Sequence, residues 1–80
     1  TVNAVAPGGV KTPGAEEATP MIMKVLGIDA EAMANSPIRS TLGRYAEPDD
    51  IAKVVYFLAT GLADYMTGAF VPADGGYLLI

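Results

Sequence analysis

The stretch TVNAVAPGGVKT, residues 1–12, alternates β-branched and small residues from Val2 to Ala6 and then runs into Pro7-Gly8-Gly9. Alternation of this kind describes a half-buried strand, and the Pro-Gly step closes it with a turn. The strand has no polar lead-in before it. We therefore expect one strand of a larger sheet, not the edge of a free-standing domain.

Outward from this strand, Val10 to Ser40 is a long connection with several breakers. Thr19-Pro20 offers an N-cap and a first helical residue, and Met21-Ile22-Met23-Lys24-Val25-Leu26 then runs to Gly27 as a stop. Asp29 is placed to cap a second short turn over residues 30–34. The strongest periodic signal follows Glu47-Pro48-Asp49-Asp50, a proline at a helix start with acidic groups on the positive end of the dipole. Ile51, Val54, Val55, Leu58 and Leu62 form the stripe of an amphipathic helix over 48–60. A second short strand spans 69–73 and closes at Asp74-Gly75-Gly76.

Strand, connection, helix and strand make a βαβ unit, which builds parallel sheet. Two parallel strands do not stand alone, because an outer edge and a face stay uncovered. Pro72 cannot donate to a ladder, so strand 69–73 belongs at a sheet edge. Strand 2–6 then lies inward and needs a partner on its other side.

Composition agrees. The 80 residues are 51% hydrophobic and 18% charged, apolar for a chain that buries only roughly 60–65% of its unfolded surface. Much of that apolar surface is meant for another piece of chain or another subunit. There is no cysteine and no histidine, which removes disulfides, the usual zinc ligands and the usual general base. A net charge of −4 argues against a phosphate-tracking surface for nucleic acid. No apolar run reaches membrane-spanning length, and a cytoplasmic setting is the default.

Three blocks in order, VNAVAPGGVKT, LGRYAEPDDIAKVVYFLA and YMTGAFVPADGGYLL, resemble the C-terminal third of the classical short-chain dehydrogenases/reductases. The matching motifs are N-A-x-x-P-G-x-V-x-T, L-G-R-x-x-x-P-x-x-I-A and T-G-x-x-x-x-x-D-G-G. They leave mainly the loop between Thr12 and Thr41 uncovered. The resemblance implies the C-terminal βαβ portion of a Rossmann-type doubly wound parallel sheet in the α/β class, incomplete without its N-terminal strands. Neither a glycine-rich dinucleotide turn nor a Tyr-x-x-x-Lys is present, so no residue here takes the family's catalytic Ser, Tyr or Lys role. The sequence departs from the family pattern at Thr41, where proline is frequent, and at Pro72.

By position, the resemblance puts Pro7, Gly8, Gly9, Val10 and Thr12 against the nicotinamide of NAD or NADP. Pro7 and the two glycines would shape the ring's pocket and let backbone approach it. The Val10 backbone would hold the carboxamide, and the Thr12 hydroxyl would reach the carboxamide or a phosphate. Residues 13–40 would form a substrate lid, with Met21, Ile22, Val25 and Leu26 as its apolar contacts. The same residues could instead simply pack the lid onto the body. Asp74 is better read as a turn cap than as an acid, Arg44 and Glu47 as local ion-pair or capping groups, and Asn3 as a packing residue.

Two functions stay open. One is the C-terminal part of an NAD(P)-dependent oxidoreductase that interconverts an alcohol and a carbonyl. Its partners would be the N-terminal remainder, a small-molecule substrate and further subunits of a dimer or homotetramer, with no nucleic acid, membrane or metal. The other is a non-catalytic interaction or assembly module derived from the same fold.

Overall fold

The structure is a computed structural model that describes residues 1–29 and 40–79. Strand β1 (Ala4–Pro7) and strand β2 (Phe70–Ala73) pair in parallel, with Ala4 opposite Phe70 and Pro7 opposite Ala73. Between them lie helix α1 (Pro13–Leu26) and helix α2 (Pro48–Ala59). One 3₁₀ turn, Gly61–Ala63, follows α2, and another, Tyr77–Leu79, follows β2. The expected turn over residues 30–34 lies outside the described residues.

β1 starts at Ala4, not Val2, because the residues before it bond to a loop. Val2 C=O accepts from Gly68 N–H at 2.7 Å, and Val2 N–H donates to Thr67 Oγ1 at 3.2 Å. Asn3 clamps the same loop from its side chain, donating to Met66 C=O at 3.2 Å and accepting from Ala69 N–H at 3.0 Å. Its expected structural role is therefore a specific one: Asn3 sets where β2 begins.

The ladder also explains Pro72. Ala4 N–H donates to Ala69 C=O at 2.8 Å and Gly8 N–H to Ala73 C=O at 3.2 Å. Alternation from these two bonds turns the odd residues of β2 toward β1 and the nitrogen of Pro72 toward the outer edge. The proline costs no ladder bond. By the same alternation the Val5 N–H faces the far edge of β1, where no strand pairs with it among the described residues.

α1 differs from the expected helix. It starts at Pro13, seven residues before Pro20, because Thr12-Pro13 carries the same cap-and-proline signal as Thr19-Pro20. Thr12 Oγ1 accepts from Ala15 N–H at 3.0 Å, which satisfies one of the helix's orphan donors. Pro20 is carried inside the helix at the loss of one i→i−4 bond, to Glu16 C=O. The stop at Gly27 is as expected, with φ 69° and Ile28 N–H closing on Met23 C=O at 2.8 Å.

α2 starts as expected, with Glu47 as N-cap and Pro48 in the first turn, and runs one residue shorter, to Ala59. It packs on β1. Ile51, Val54 and Leu58 are half-buried, whereas Val55 and Leu62 of the same stripe remain exposed. Among the described residues only Met23 and Ala63 are buried hydrophobics. The segment has the framework of a sheet layer but almost no core of its own.

Candidate functional site

Ligands of open parallel sheets gather beyond the carboxyl ends of the strands. Here those ends are two glycine-containing turns, Pro7–Thr12 after β1 and Asp74–Gly76 after β2. They lie side by side. A Cβ built on Gly8 would fall 2.9 Å from Asp74 Cα and 3.2 Å from Asp74 C=O, so the β2 exit already fills the space that Gly8 leaves. A Cβ on Gly9 would fall 2.6 Å from Cδ1 and 2.9 Å from Cε1 of Tyr45. Both glycines are thus required by atoms of this chain itself. This is a reason for the two glycines that holds beside the expected approach of a ring.

Val10 sits in a single parallel bridge to Ala46. Lys11 N–H donates to Ala46 C=O, and Ala46 N–H donates to Gly9 C=O, both at 2.9 Å. The bridge uses the carbonyl before Val10 and the N–H after it. The N–H and C=O of Val10 itself therefore face away from Ala46, and neither has a hydrogen-bond partner among the described residues. At the end of the turn, Thr12 is half-buried. Its oxygen is used as the cap of α1, and its hydroxyl hydrogen has no acceptor among the described residues.

Residues 40–47 form a strap joining both turns. Leu42 N–H and Ser40 Oγ donate to Gly75 C=O at 3.1 and 3.0 Å. Thr41 Oγ1 donates to Gly76 C=O at 3.2 Å, a bond that the family's frequent proline could not make. Gly75 and Gly76 hold φ of 62° and 83°, left-handed values that side-chain-bearing residues rarely adopt. Asp74 caps this turn as expected: its carboxylate accepts from Gly76 N–H at 2.9 Å and Leu78 N–H at 3.3 Å.

The strap's other end is tied to the start of α2. Asp50 Oδ2 accepts from Arg44 Nη1 and from Glu47 N–H, each at 2.8 Å. Arg44 Nη1 also donates to Tyr45 C=O at 3.1 Å. The hydrogen bond from Arg44, and then that from the Glu47 backbone, hold the Asp50 carboxyl below the usual carboxylate range. The same Asp50 partner raises Arg44. An exposed ion pair at 3.6 Å joins Lys11 to Glu47. The local roles read for Arg44 and Glu47 hold, but they anchor the strap beside Val10.

The four apolar residues read as lid contacts lie on one arc of α1. Met21, Ile22, Val25 and Leu26 are exposed, while Met23 on another arc is buried. At ~1.5 Å per residue they sit about 12–20 Å along the axis from Pro13. Pro13, which opens α1, follows Val10 by three positions in the chain. Sequence reasoning missed Tyr45, Ala46 and Ser40, which carry no motif of their own and become visible only through what they touch.

Among the described residues no cluster of three His, Cys, Asp or Glu side chains could hold a metal ion. No helix among them is long and apolar enough to cross a membrane.

Comparison with known proteins places these features in context. The profile described as enoyl-(acyl carrier protein) reductase matches residues 1–78. Cyclohexanol dehydrogenase of Rhodococcus is 45% identical over 76 residues, spanning 95% of this chain and 25% of that protein. A short-chain dehydrogenase family protein of Francisella tularensis superposes with a TM-score of 0.78 at 35% identity, over 99% of this chain and 33% of its own. The angucycline C-6 ketoreductase LanV, solved with bound NADP, gives a TM-score of 0.71 at 41% identity, over all of this chain and 27% of its own. The chain thus spans a quarter to a third of the length of these relatives.

Proposed function

The chain belongs to the short-chain dehydrogenase/reductase family, and from that premise we propose that it is the C-terminal part of an NAD(P)-dependent oxidoreductase interconverting an alcohol and a carbonyl. The observation that carries the reading is the N–H and C=O pair of Val10 beyond the carboxyl end of β1, without a hydrogen-bond partner among the described residues. A carboxamide is complementary to such a pair, offering one acceptor and two donors. The Thr12 hydroxyl, whose hydrogen has no acceptor among the described residues, fits a second contact to the carboxamide or to a phosphate. Named relatives that are dehydrogenases, and a neighbour holding NADP, point the same way.

NAD or NADP, when bound, supplies the hydride exchange at its nicotinamide ring. The task of this chain is orientation. Val10 would hold the carboxamide, which decides which ring face meets the substrate, and Thr12 would fix the adjoining part. Held geometry of this kind accounts for a large share of enzymatic rate. Pro7, Gly8 and Gly9 act one step back, by shaping the turn that presents Val10. Catalytic groups and the dinucleotide cradle would come from the N-terminal remainder, which pairs with the open edge of β1. Helix α1 would open the substrate lid, with Met21, Ile22, Val25 and Leu26 against a small alcohol or carbonyl compound or against that remainder. Exposed Phe70, Leu78 and Leu79 on and after β2 suit cover by a second subunit of a dimer or tetramer. A cytoplasmic setting belongs to the same proposal.

The test uses the complete protein that carries this segment. NADH or NADPH should bind with a change in nicotinamide fluorescence, and Thr12→Ala should weaken that binding about tenfold. A complete protein that binds neither dinucleotide would refute the proposal. Binding unaltered by Thr12→Ala would favour the non-catalytic assembly module, for which the exposed apolar residues on and after β2 are the supporting observation.

A further inference from the structure

We infer that Tyr45 is a positioning residue for the nicotinamide contact, acting through Gly9 on the backbone of Val10. The inference rests on the reading of Val10 as the carboxamide contact and assigns what holds it in place. The turn after β1 is only partly fixed by the sheet, whose ladder ends with Gly8 N–H on Ala73 C=O. Beyond Gly8 the turn is held by the strap along its length and, at its end, by Thr12 as the cap of α1. Two backbone bonds to Ala46 flank Val10, and they fix which way its peptide groups face. Those bonds fix direction but not height. Height is set by the ring of Tyr45, which occupies the volume beside Gly9 that a Cβ would otherwise take.

The backbone that carries the ring is itself tied down. Tyr45 C=O accepts from Arg44, Arg44 pairs with Asp50, and Asp50 also accepts from Glu47 N–H at the first turn of α2. The brace therefore runs from the N-terminus of α2, through the strap, to the turn that presents Val10. The hydroxyl of Tyr45 has no part in it among the described residues, and the ring is about half exposed. Shape rather than hydrogen bonding does the positioning. Phenylalanine should therefore substitute for it, and alanine should not.

The experiment compares two ligands on the complete protein: intact NADPH or NADH, and ADP-ribose or its 2′-phosphate, which lack the nicotinamide. The wild type should favour the intact dinucleotide. Tyr45→Ala should weaken the intact dinucleotide about tenfold and leave the nicotinamide-free ligand within twofold, while Tyr45→Phe keeps both. Gly9→Ala, which drives a methyl into the ring, should reproduce the selective loss and serves as the second route if Tyr45→Ala has no cooperative melt. A wild type with no preference between the ligands would overturn the reading of the turn, and this inference with it. A wild type with the preference, retained within twofold by Tyr45→Ala or Gly9→Ala, would overturn the inference alone. Equal weakening of both ligands would mark Tyr45 as merely structural and would also overturn it.

Discussion

Replacing Gly8 with alanine separates two explanations of the Pro-Gly turn. If Gly8 exists only to admit a cofactor ring, the added methyl leaves the ligand-free protein untouched. The geometry requires the opposite. The new Cβ would meet Asp74 Cα at 2.9 Å, Asp74 Cβ at 3.0 Å and Asp74 C=O at 3.2 Å. None of these atoms ends a flexible side chain. Asp74 follows directly on the ladder bond from Gly8 to Ala73, and its own C=O accepts from Tyr77 N–H at 3.2 Å. The strand ends must part by several tenths of an ångström, which strains the last ladder bond. Overpacking of this kind costs about 1–3 kcal/mol, and a weakened hydrogen bond adds up to roughly 1 kcal/mol. For a protein of the relatives' size, at about 2–4 °C per kcal/mol, a loss near 2 kcal/mol lowers Tm by roughly 4–8 °C. The assay is calorimetry of the complete protein without cofactor. Gly14→Ala is the control, since nothing lies within 4 Å of its new Cβ and it stands in the first turn of α1. It should be neutral or stabilise by up to ~1 kcal/mol. Gly8→Ala melting within 1 °C of the wild type, or no worse than Gly14→Ala, would refute the reasoning.

Asn3→Ala in the complete protein strands Ala69 N–H and Met66 C=O and should cost about 1–3 kcal/mol in denaturant unfolding; Asn3→Asp, which loses the donor, should be no better. A loss below 0.5 kcal/mol for either change would contradict the clamp (threshold from the spread of surface substitutions, roughly ±0.5 kcal/mol). Asp50 titrates below its ordinary range in the folded state, so its hold on Arg44 and Glu47 is complete above the unfolded value of about 3.9 and is lost as pH falls through the lower folded value. The Asp50 side-chain carboxyl carbon resonance should titrate with its midpoint below the unfolded value of about 3.9; a midpoint at or above that value would be inconsistent. The 80-residue chain alone should show a broad, non-cooperative melt or self-association, because it exposes 6268 Å² where a folded monomer of 8.2 kDa exposes about 4,500 Å². A sharp two-state transition of a monomer would exclude this.

What could be read from the residues was whatever local chemistry decides. The α2 start at Glu47-Pro48, the stop at Gly27 and the cap by Asp74 are signals in which a side chain meets backbone a few positions away. The parallel pairing of β1 and β2 followed from order and connection length. The α1 start differs from the expected one because two Thr-Pro pairs carry the same signal, and only the meeting of Thr12 Oγ1 with the Ala15 N–H separates them. The strand boundaries differ from the expected ones by one or two residues because Val2 and Asn3 bond to residues more than sixty positions away. No window of sequence contains such a partner.

The same distinction decides how the turn after β1 is to be understood. Its glycines were legible as glycines, but the reason for them was not, because a missing side chain does not say what fills its place. Asp74 fills one and Tyr45 the other, from elements 66 and 36 residues further along the chain. The turn is therefore shaped from outside, by the exit of β2 and by a strap anchored on α2. A surface preset in this way does not have to be ordered when a ligand arrives, and that lowers the entropic cost of binding. It follows that changes in the strap, which would not touch a cofactor bound at Val10, should alter binding of the nicotinamide half more than changes on the exposed arc of α1. Substitutions at Tyr45 and at Val25 in the complete protein provide that comparison: a larger effect from Val25→Ala than from Tyr45→Ala on NADPH affinity would place the determinant in the lid instead of the strap.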